Sequence, residues 1–96
     1  MSRETGELTS RVWIFHGESA PFASGVFADK ASGLEWVARH SLTGLLTEYE
    51  VGDGCLDLAV RHGRFRPSRP HHGSPGHIAS FSPGLDHVHV SDGHEA

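Results

Sequence analysis

Val12-Trp13-Ile14-Phe15, closed by His16-Gly17, is a continuous run of large apolar and aromatic residues. It reads as a strand buried on both faces, which places it centrally in a sheet. Glu18 to Pro21 is a turn, and Phe22 to Phe27 is a second short strand weakened by Gly25, so the pair forms a hairpin. Asp29 is a good N-cap for a helix running to about His40, with Gly44 and the strand-like segment beyond it marking the exit. Two stripes compete for its inward face: Gly33, Trp36, Val37 and His40, or Ala31, Leu34 and Ala38. The Trp36 stripe is favoured, because burying that ring contributes most and Gly33 lets the helix approach the sheet.

Leu45 to Val51 is a third strand, in which Leu45, Thr47, Tyr49 and Val51 alternate with Leu46, Glu48 and Glu50. A second helix follows, about Gly54 to His62, with Asp53 as N-cap, Gly63 past its end and Asp57 placed to pair with Arg61. Pro67 and Pro70 keep Arg64 to Pro70 extended, and Ser74-Pro75 starts a short helical turn through Phe81. His87-Val88-His89-Val90 alternates as a last strand, valines inward and histidines outward. Residues 1–11 and the tail from Ser91 are expected to fray. The order β-β-α-β-α-α-β makes residues 1–96 a single α+β domain. Its small, mostly antiparallel sheet has the order 2-1-3 with a C-terminal fourth strand and helices packed on one face.

At 96 residues only about 60 to 65% of the unfolded surface is buried on folding, so stability is modest and a homodimer interface would add to it. Hydrophobic content of 36% and charge of 21% fit a globular rather than a disordered chain. The polar start, MSRETGELTSR, holds no signal-peptide-like apolar stretch, and no later segment resembles a membrane span; a cytoplasmic protein with no membrane partner is expected. Cys55 is the single cysteine, so it forms no internal disulfide and no cysteine-based zinc finger. A net charge of −4 disfavours a nucleic-acid partner. That charge is segregated: Asp29 to Asp57 holds six acids and two bases, while Arg61 to His72 holds four arginines and no acid.

The segments VWIFHG, ASGVF, LEWVARH, LTGLLTEYEVGDG, RFRPSRPHH and FSPGLDHVHVSDG together resemble a family of small bacterial proteins, familiar from actinobacteria, known as a domain of unknown function. The resemblance spans about Val12 to Gly93 and carries over no catalytic residue. Seven arginines against one lysine agree with the coding bias of a GC-rich genome.

Six of the nine histidines lie in the last 26 residues: His71, His72, His77, His87, His89 and His94. His87 and His89, two apart on a strand, project from one face and are the best metal candidates, with His71, His72 or His77 as a third ligand and zinc the expected ion. In that set His71 completes the triad His87, His89, His71. Cys55 and His62, seven residues apart on a helix, are about 10 Å apart and do not form a nucleophile and base. His16 ends the central strand, where Glu18 or Asp53 are its candidate partners; the alternative is a histidine hydrogen-bonded to backbone. Asp53 occupies the start of the second helix with its own charge, which disfavours phosphate there.

Two functions follow. One is a non-enzymatic protein-interaction module, immunity-type or accessory, docking an acidic protein surface through Arg64, Arg66, Arg69, His71 and His72. The other is a metal-binding protein or metal-dependent hydrolase built on His87, His89 and a loop histidine.

Overall fold

The computed structural model describes residues 10–96. Five strands, β1 (Arg11–Gly17), β2 (Ala23–Phe27), β3 (Gly44–Glu50), β4 (His87–Ser91) and β5 (His94–Glu95), form one sheet in the order β2-β1-β3-β4-β5. Every pairing is antiparallel. Three helices, α1 (Lys30–His40), α2 (Cys55–Arg61) and α3 (Pro75–Ser80), complete the α+β fold, with a 3₁₀ turn at Pro70–Gly73 before α3. The expected fraying of the N-terminus lies, for residues 1–9, outside the described residues; Arg11 already belongs to β1.

Trp13 and Phe15 pair with Glu48 and Leu46 of β3, and Leu46 with Val88 of β4. Period-two alternation therefore puts Trp13, Phe15, Leu46, Val88 and Val90 on one face, where they form the core with Val37 of α1. The opposite face carries Val12, Ile14, Leu45, Thr47 and Tyr49, all half-buried, so β1 is central but fully buried on one side only. At its outer margin β2 holds one extra residue, Ser24, because Phe15 pairs with Gly25 and His16 with Ala23.

Gly33, Trp36 and Val37 of the favoured α1 stripe face the sheet, while its fourth member, His40, is exposed. Gly33 and Val37 are buried, and the Trp36 ring packs on Phe15 and Phe27 with centroids 5.7 and 5.3 Å away. Gly33 is required by close approach: a Cβ there would lie 2.9 Å from a methyl of Leu46. Asp29 caps the helix by accepting from the Ser32 amide at 2.8 Å. The helix ends at His40 as expected, where Ser41 adopts a left-handed conformation while its own amide and that of Leu42 bond back to Ala38 and Val37.

Four expectations are corrected. The N-cap of α2 is Gly54, with Asp53 accepting from the Gly54 amide, and Arg61 pairs with Asp53 at 2.8 Å instead of with Asp57. The tail does not fray at Ser91: Asp92-Gly93 turns, the Asp92 amide bonds Thr43 Oγ1 and the Gly93 amide bonds the Leu42 carbonyl, and His94–Glu95 returns as β5. Finally, the helices do not share a face. The chain from Ala79 to Leu85 instead lies along Leu45, Thr47, Tyr49, His87 and His89, on the side opposite α1.

Candidate functional site

Crossing to the second face creates a groove of about 620 Å³ between the sheet and the α3–β4 connection. Leu45, Tyr49, Phe81, Pro83 and Leu85 give it apolar walls, and His87 and His89 stand along one side. These two imidazoles project from the face opposite the buried Val88 and Val90, as the alternation requires, and their rings meet edge to face at 5.2 Å.

His71 is not brought to them. Its ring contacts His72 at 4.5 Å and His77 at 5.7 Å, within a second aromatic cluster completed by Phe65 and Phe81. Among the described residues, no three of His, Cys, Asp and Glu are arranged to hold a metal ion. The histidines thus separate into a pair on β4 and a trio between the 3₁₀ turn and α3, because Ser74-Pro75 turns the chain before β4 begins.

Within the trio the rings of His72 and His77 have distinct hydrogen-bonding roles. His72 Nδ1 accepts from the Ser68 amide at 3.0 Å and the Arg69 amide at 3.2 Å. His77 Nδ1 donates to the His72 carbonyl at 3.0 Å. Burial, then the neighbouring His71 and His77 rings, push His72 below the ordinary imidazole pKa. Phe65 fastens this cluster to the groove by packing against Phe81, with centroids 4.9 Å apart.

The arginines also divide. Arg64 is turned inward onto Glu50, 2.7 Å from its carboxylate, and Arg11 and His62 approach the same group at 4.0 and 3.6 Å. The hydrogen bond from Arg64 holds the Glu50 carboxyl below its usual pKa. Arg66 and Arg69 are exposed, and among the described residues no acid lies within ion-pair distance of either. Sequence reasoning could not separate Arg64 from its neighbours, since its partner is fourteen residues away on β3.

His16 lies at the opposite end of the sheet from Asp53. Its Nε2 donates to the Ala20 carbonyl at 2.6 Å, the backbone-bonded role, while Glu18 shares with it a smaller groove of about 360 Å³ that His89 also lines. Asp53 is occupied by Arg61 beyond the far end of β3. Cys55 is half-buried, and burial raises its thiol pKa, which suits a small apolar residue and not a nucleophile. Among the described residues no helix is long and apolar enough to cross a membrane.

No curated protein and no solved structure matches the chain. A family model described as "Domain of unknown function (DUF7710)" matches residues 12–96, from the first core strand through β5, and the chain belongs to that family.

Proposed function

We propose that this is a small non-enzymatic module that binds another protein bearing an acidic surface, and that Arg66, Arg69 and His71 beside the groove form its contact. The observation that carries this reading is the state of Arg66 and Arg69. Both guanidinium groups face solvent without an acid of the described chain beside them, on a loop held at both ends. At the leading end the Arg64 and Phe65 amides bond the Ala59 carbonyl; at the trailing end the Arg69 amide bonds the His72 ring. A held loop loses less conformational freedom on binding, and free arginines supply charge-assisted, directional hydrogen bonds to carboxylates. Arg64 and His72 support that loop, so the contact is narrower than the arginine run alone indicates.

The test uses an oligoglutamate peptide as the acidic probe. Replacing Arg66→Ala and Arg69→Ala together should weaken binding by about 1 kcal/mol, roughly fivefold, and flatten its salt dependence. Equal affinity and equal salt slope in wild type and double variant would remove this surface from consideration.

A further inference from the structure

We infer that His72 is a proton-operated latch on the loop that carries Arg66 and Arg69: its neutral ring holds the loop, and protonation releases it. The geometry requires neutrality. Nδ1 accepts from two backbone amides, Ser68 and Arg69, so the ring's proton must sit on Nε2. A second proton could enter only at Nδ1, where it would abolish both hydrogen bonds and point a third N–H at two others.

The surroundings oppose that proton as well. His71 from the 3₁₀ turn lies 4.5 Å away and His77 from α3 lies 4.9 Å away, centroid to centroid, and Phe65 closes a further side at 5.1 Å. Arg69 adds a fixed positive charge in the same turn. Among the described residues no carboxylate lies within ion-pair distance of His72 to compensate. His77 behaves differently, because its Nδ1 already donates to the His72 carbonyl and a charged ring keeps that bond. Protonation therefore breaks the structure at one ring of the trio.

The consequence is confined by the chain's other ties. Arg64 and Phe65 remain fixed to the Ala59 carbonyl, while α3 remains capped by Ser74 Oγ, which accepts from the His77 amide at 3.2 Å. Between these anchors only the His72 ring bonds the amides of Ser68 and Arg69 among the described residues. Acidification should free residues 66–68 and release the Arg69 amide, while the His72 amide keeps its 3.0 Å bond to the Arg69 carbonyl and the sheet stays folded. The lowered pKa of His72 agrees: the latch is closed above the ordinary value of about 6.5 and opens as pH falls through the lower folded value.

The latch acts on the proposed contact loop, yet its test reads backbone amides and needs no partner. Amide hydrogen exchange of the full chain, corrected for intrinsic rates, is followed by NMR from about pH 7.5 to about pH 5.5. Ser68 and Arg69 should lose about tenfold protection, while Arg64 and Phe65 keep theirs. His72→Ala should leave Ser68 and Arg69 unprotected at both pH values, and His77→Gln should preserve the pH step. Unchanged protection of Ser68 and Arg69 across the range, or their loss together with Arg64 and Phe65, would overturn the latch. Ring ¹⁵N shifts in the wild type give a second check that needs no variant, since a proton found on Nδ1 of His72 near pH 7.5 would also overturn it.

Discussion

Arg64→Ala should destabilise the protein even though Arg64 sits in a run of exposed cations. Its guanidinium makes a 2.7 Å hydrogen bond to Glu50, and the Glu50 and Arg64 side chains are only 3% and 27% exposed. Arg11 and His62, which also close on Glu50, have side chains 45% and 39% exposed, so water still screens the group. A hydrogen bond to a charged group contributes about 1.5–3 kcal/mol, and that screening selects the lower end, about 1.5 kcal/mol. For a domain of this size the loss corresponds to a Tm drop of roughly 6–12 °C. The Glu50 pKa is depressed in the folded state, so its contribution is present above the ordinary carboxylate value and is lost as pH falls through the folded value. The gap between wild type and Arg64→Ala should therefore close in acid. Thermal unfolding followed by circular dichroism at neutral and acidic pH measures both effects, with Arg66→Ala as the control expected within about 0.5 kcal/mol of wild type. Equal Tm values for Arg64→Ala and Arg66→Ala at neutral pH would refute the assignment of Arg64 to the fold.

Gly44→Ala should cost about 3 kcal/mol in urea unfolding, because the new Cβ would meet the His16 carbonyl and lie 2.9 Å from Gly17 Cα, backbone atoms that cannot yield without parting β1 from β3. A variant with unchanged midpoint would show that the strands are less closely paired there. Leu46→Ala removes a side chain of zero exposure at the centre of the core and should cost about 3–5 kcal/mol, with a midpoint shift and loss of near-ultraviolet signal from the adjoining aromatic residues. Iodoacetamide should alkylate Cys55 at least about tenfold more slowly in the native protein than in urea, since burial both shields the thiol and raises its pKa; equal rates would place Cys55 in solvent.

Much of the architecture was legible because it depends on neighbours in sequence. The VWIF run identified the central strand, Asp29 and the Trp36 stripe oriented α1, and alternation in HVHV set the valines inward. These are local rules of period and capping, and the order of the first three strands followed from them with right-handed crossover geometry, whereas β5 was not foreseen. Asp57 with Arg61 was a local rule that failed: the i,i+4 spacing was present, yet Asp53 offered Arg61 a 2.8 Å contact from the turn before the helix.

What sequence determined by itself is the α+β class, the central strand, the inward stripe of α1 and the segregation of arginines and histidines toward the C-terminal part. Only the tertiary structure decided which of those residues are available. It turned Arg64 onto Glu50 from another element, committed the His72 ring to two backbone amides, parted His71 from His87 and His89, and drew the α3–β4 chain to the face opposite α1. The physical reason is range: periodicity and capping act within a few residues, whereas charge pairing and ring packing depend on atoms that only the folded chain brings within reach.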